Sequence, residues 1–145
     1  MLLIPDKKWN YKKSLLVVLT ISWITGLAFF ILNTFVTFEG EFGIEKHPWQ
    51  YPILRIHGAA SFFIMIIFGY FLAAHVKINW RRKEKPILGI IMVAMPILSI
   101  ISAYILYYFA LENFREFVGY FHFFTGLSIP FILIAHILTM NKPAK

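Results

Sequence analysis

Residues 56–76 read IHGAASFFIMIIFGYFLAAHV, with Arg55 before them and Lys77 after. These 21 residues carry no formal charge. As an α-helix they extend about 31 Å, the thickness of a bilayer's hydrocarbon core. One histidine sits near each end, His57 and His75. An ionisable side chain at membrane depth is costly and usually faces a bundle interior, so it marks a functional position by default. Eighteen residues separate the two histidines. That is five α-helical turns, which predicts that both imidazoles point the same way.

Composition sets the class. The chain is 59% hydrophobic, 19% aromatic and 14% charged over 145 residues, more apolar surface than a soluble domain of this size can hide. Three further uncharged runs, 14–38, 86–111 and 117–141, are each long enough to span. The expected fold is an all-α membrane protein, one four-helix transmembrane domain over 1–145. Its helices are expected near 14–38, 53–77, 86–111 and 115–140. Short connections favour up-down topology with sequential helices antiparallel. The first run is longer than a signal peptide's apolar core of roughly 7–15 residues and is read as an uncleaved anchor. Pro96 and Pro130 are expected to bend helices three and four. Cysteine is absent, which excludes disulfides, thiolate metal sites, iron–sulfur clusters and covalently attached haem.

Charge predicts the orientation. Eleven of the 14 basic residues fall at the N-terminus, in the second connection and in the tail. The other two connections hold Lys46, Arg55 and Arg115 among Glu39, Glu41, Glu45, Glu112 and Glu116. The positive-inside rule then places both termini in the cytoplasm. The net charge of +7 reads as topology signal and lipid contact, not as a nucleic-acid surface.

Helix four adds His122 and His136, fourteen residues apart and again close to one face. Helices two and four run the same way, so His57 can meet His122 at one level and His75 can meet His136 at the other. Two imidazoles facing each other from separate helices suit the two axial positions of a haem iron, and bundle cores are where such cofactors are held. Zinc or copper would want three or four ligands together. The expected cofactor is haem b, two per chain, with His57/His122 and His75/His136 as iron ligands. Apolar or small residues continue the two faces: Ser61, Ile64, Phe68 and Phe71 on helix two, Gly126, Ile129 and Leu133 on helix four. Gly26, Gly58, Gly89, Gly119 and Gly126 allow close approach, by a flat macrocycle or by an ordinary helix neighbour. Arg55 is the first candidate cation for the propionates of the outer haem and Arg115 the second; Lys77 and the cluster 81–83 are candidates for the inner one. Each is equally readable as an interfacial anchor. His47, before a proline in a polar loop, reads as a solvated side chain. The spacings differ, about 27 Å on helix two against about 21 Å on helix four, which leaves a single haem as the variant reading.

The stretches LRIHGAASFF (54–63), GYFLAAHV (69–76), SAYILYY (102–108) and GYFHFFTGLSIPFILIAHI (119–137) give helices two to four a pattern that resembles the small prokaryotic four-helix di-haem b-type cytochromes, the cytochrome b561-like group. The resemblance implies electron transfer across a prokaryotic cytoplasmic membrane, linked to quinol and quinone or to a partner oxidoreductase. It leaves the oligomeric state open. The histidine spacing on helix two departs from that of the larger respiratory b-type cytochromes, so their quinone sites are not carried over. No G-x-G-x-x-G loop occurs, so a nicotinamide or flavin domain would belong to another chain. Oxidation of quinol or superoxide at the outer haem is a variant within this class, with superoxide disfavoured by the acidic outer loops. A haem-free membrane subunit or assembly partner, its histidines bridging helices, is the alternative from another class. A transporter ranks lower, for want of an inverted repeat or a buried acid.

Overall fold

A computed structural model describes residues 11–77, 87–109 and 111–140. Four helices dominate: α1 (Tyr11–Thr34), α2 (Gln50–Phe71), α3 (Ile87–Tyr108) and α4 (Glu112–Met140). A π-helical turn, Leu72–Val76, prolongs α2, and a short antiparallel pair, β1 (Phe38–Gly40) and β2 (Gly43–Glu45), lies between α1 and α2. All four helices are long and apolar enough to cross a membrane. Lys7, Lys8, the connection 78–86 with its cluster 81–83, Lys142 and Lys145 lie outside the described residues, as does the side chain of His75.

Local chemistry moves the expected boundaries. Helix one was expected to reach 38 and stops at Thr34, because the chain reverses just beyond it. Phe38 pairs with Glu45 and Gly40 with Gly43. Gly43 has φ 116°, a conformation that only glycine adopts without strain. Helix two starts at Gln50, three residues earlier than expected. Its entry is held by the Gln50 N–H on the His47 carbonyl at 2.9 Å and by the Trp49 N–H on His47 Nδ1 at 3.2 Å. Pro52 falls in the first turn, where its missing N–H costs nothing. Helices α3 and α4 both continue across their internal prolines.

Side-chain contacts set the directions. Leu32 meets Gln50 at one end of α1 while Ser22 meets Ser61 further along, so α1 and α2 are antiparallel. Ser102 reaches His122 and Ser99 reaches Thr125, so α3 and α4 are antiparallel as well. Phe30 stacks on Phe123 at 3.7 Å between ring centres, and the Trp23 indole donates to the Leu127 carbonyl at 3.3 Å. These contacts join the two hairpins along an antiparallel α1–α4 seam and leave α2 parallel to α4. Pro130 leaves the Gly126 carbonyl, four residues back, without its helical donor, and the Trp23 contact falls on the neighbouring carbonyl of Leu127.

The interior is unlike that of a soluble domain. Among the described residues Ala60, Ile67, Pro96 and Val118 are the buried apolar ones, whereas Ser22, Gln50, Ser102 and Thr125 are buried and polar. Ile24, Ile31, Phe62, Phe63, Ile66 and Phe131 all face outward. Water would penalise that exterior heavily, while lipid does not.

Candidate functional site

Each hairpin presents one histidine towards the other, and each histidine is tied through Nδ1 to its own hairpin. On α2, His57 Nδ1 lies 2.9 Å from the Ser22 carbonyl of α1. On α4, His122 Nδ1 lies 3.1 Å from the Ser99 carbonyl of α3. A carbonyl only accepts, so each Nδ1 carries the hydrogen and each Nε2 keeps its lone pair. Hydroxyls reinforce both ties. Ser102 Oγ is 3.0 Å from His122 Nδ1 and donates its own hydrogen to the Ser99 carbonyl at 3.0 Å. Around His57 the Thr25 and Ser22 hydroxyls stand further off, at 3.4 and 3.5 Å.

The two imidazole rings are 6.2 Å apart between centres, with their planes at 90°. Direct edge-to-face ring contact covers about 4.5–7 Å, so the distance is compatible with simple packing. It also matches a metal held between two Nε2 atoms. A metal–imidazole bond of about 2.0–2.1 Å, plus roughly 1.1 Å from nitrogen to ring centre on each side, gives about 6.3 Å. Among the described residues no group of three or more His, Cys, Asp or Glu side chains converges as a bare metal site would need. Two imidazoles are the number of protein ligands that a haem iron would take.

A cavity of about 2150 Å³ runs through the bundle, bordered by His57, His122 and His136. Ordinary ligand pockets hold roughly 300–1,000 Å³, so this space exceeds a single such pocket, and it is open along part of its length rather than enclosed. The seven apolar or small positions read from the two helix faces all line it, as do the five glycines. The glycines play different parts. A methyl at Gly26 would lie 2.9 Å from His57 Cε1 and 3.2 Å from Nδ1, so the bare backbone of α1 is what lets the imidazole reach the Ser22 carbonyl. At Gly119 and Gly126 nothing lies within 4 Å of such a methyl; there the glycines widen the cavity.

At the other end, His136 borders the cavity from α4. His75 falls in the π-helical turn, where the Lys77 N–H bonds to the Leu72 carbonyl five residues back. That changes one expectation. Five regular α-turns would bring residues 57 and 75 to one face, but a π-turn takes an extra residue and rotates the backbone that follows. Position 75 is therefore turned out of strict line with position 57.

Arg55 is exposed, and its guanidinium lies over the Tyr51 ring, 5.7 Å from the centre. It does not border the cavity, whereas Lys46 and Arg115 do at the β-hairpin end and Lys12 does at the far end. The reason is helical phase. Residues two apart are about 200° apart around an α-helix, so Arg55 and His57 cannot share a face. His47 is half-buried at the cavity mouth, edge-on to Phe38 at 5.5 Å. Sequence reading missed Ser22, Thr25, Ser99 and Ser102. Their signal was the spacing S-x-x-[ST] at 22–25 and 99–102, each on the helix preceding a histidine helix. Compared with known proteins, the chain matches no protein family, and no curated protein or solved structure proved significantly similar to it.

Proposed function

We propose that this chain is a multi-pass protein of a prokaryotic cytoplasmic membrane that carries electrons across the bilayer on two haem b groups. In this reading His57 and His122 hold one haem at the β-hairpin end, and His75 and His136 hold the second at the other end. The observation that carries it is the 6.2 Å spacing of the His57 and His122 rings, each with Nδ1 tied back to a serine carbonyl and Nε2 left as a ligand atom.

The chain's own residues have definable tasks. The Ser22 and Ser99 carbonyls would select the tautomer that can bind iron and hold each ring in place, as the hydrogen-bond partners of metal-bound histidines do. Apolar walls such as Ile64, Phe68 and Leu133 exclude water and keep the surroundings of low polarity. Helix α4 carries its two histidines about 21 Å apart along the axis, a separation that spans most of the hydrocarbon core. Bound haem supplies a one-electron couple between ferric and ferrous iron. Electrons would enter and leave through quinol and quinone or a partner oxidoreductase. Exposed Glu39, Glu41, Glu45, Glu112 and Glu116 crowd the β-hairpin end and repel small anions, so a neutral quinol suits this end better than superoxide. In this reading that end lies outside the cytoplasm, which the lysine-rich terminal segments support through the positive-inside rule.

A pyridine haemochrome assay on the purified protein tests the reading. Two haem b per chain is the expected result, and one would restrict the proposal to a single pair. None, from haem-replete cells, would sink it. The second reading, a haem-free membrane subunit, would then stand, because the Nδ1 bonds also cross-brace α1 to α2 and α3 to α4.

A further inference from the structure

The proposed haem reading leaves unexplained the cations at the cavity's β-hairpin end. We propose that Arg115, assisted by Lys46, seats the carboxylates of a haem bound at His57 and His122; the inference rests on that haem reading. Carboxylates are the charged groups of such a macrocycle, and an apolar cavity would penalise them unless they reached a cation or water. Arg115, Gly119 and His122 all border the cavity, and they stand at i, i+4 and i+7 of α4. Seven residues turn an α-helix to within about 20° of the same direction and advance it about 10 Å. Arg115 thus stands on the His122 face, two turns nearer the mouth. Lys46 borders the same mouth from the connection between α1 and α2, so the two cations approach from different hairpins. A guanidinium fork matches a carboxylate with two parallel hydrogen bonds. Glu112 and Glu116 also border this mouth, but among the described residues neither cation is held in an ion pair. Arg55, two residues before His57 in sequence, is turned towards Tyr51 instead.

The same cations could attract the headgroup of an anionic lipid, and the test separates the two sources. Haem-loaded protein is mixed with excess apomyoglobin, haem loss is followed by absorbance, and reduction potentials are titrated in parallel. Arg115→Ala is expected to speed haem loss from one site about tenfold, the loss of a charge-assisted hydrogen bond. It should also lower that site's potential, because a cation favours the reduced form. Arg115→Lys should recover part of both effects, and Arg55→Ala should leave both unchanged. The inference is overturned if Arg115→Ala matches the unaltered protein in both readouts, or if Arg55→Ala has the larger effect. It is also overturned if Arg115→Ala weakens only binding to phosphatidylglycerol vesicles, which would assign the cation to lipid. Protein purified without any haem would overturn the underlying reading as well, and is recognised before any variant is made.

Discussion

The α1–α2 and α3–α4 hairpins each bind a histidine to a serine carbonyl on the preceding helix, but they hold the ring by different means. In the first, position 26 is glycine, and the His57 imidazole presses against bare backbone, with the nearest hydroxyls at 3.4 and 3.5 Å. In the second, the equivalent position, four residues after Ser99, is Ala103. There the buried Ser102 supplies a hydroxyl at 3.0 Å. Both rings share a carbonyl bond; to it the first hairpin adds shape and the second a close hydroxyl. Close packing fails abruptly when an atom is added, whereas a network with a spare partner fails gradually. The two hairpins should therefore respond differently to equally small changes.

The largest effect is expected from removing either ring. His57→Ala and His122→Ala should each lower haem content from two per chain towards one, whereas His47→Ala should leave it at two. Equal haem in all three variants would remove the basis for pairing the hairpins. Gly26→Ala comes next. Its methyl would lie 2.9 Å from His57 Cε1, and overpacking of this kind costs about 1–3 kcal/mol. The variant should melt at lower temperature in detergent, and its ferric electron paramagnetic resonance signal should shift, because that signal follows the angle between the imidazole planes. Ala103→Gly on the other hairpin should change that signal little. The smallest effects belong to the hydroxyls. Ser102→Ala should cost about 0.5–1.5 kcal/mol, since His122 keeps the Ser99 carbonyl. Thr25→Ala should cost less still, because its hydroxyl already donates to the Ile21 carbonyl at 2.7 Å. If Thr25→Ala proved the more damaging, the contrast between shape and hydrogen bonding would be reversed.

Much of the architecture was readable from periodicity. Helix number and the cavity-facing residues of α2 and α4 follow from uncharged runs and 3.6-residue phase, quantities that depend on one helix at a time. The same rule, applied to Arg55 and His57, would have separated them, since two residues are more than half a turn. The β1–β2 hairpin was hidden among loop residues because its strands are three residues long and only Gly40 and Gly43 mark the reversal. The serine carbonyls were hidden for a deeper reason: a backbone acceptor exists at every residue, so its partner is known only when two helices are in register.

By itself, the sequence determined that the molecule is four apolar helices with histidines on the second and fourth, because hydrophobic length and helical phase are local properties. Only the tertiary structure decided which backbone atoms grip those histidines, that Gly26 is a seat for an imidazole, and that Arg115 and Lys46 border the cavity that Arg55 does not. Those outcomes depend on the packing of one hairpin against itself and against the other. A shift of an ångström or a π-turn's single extra residue changes them without altering the hydrophobic pattern.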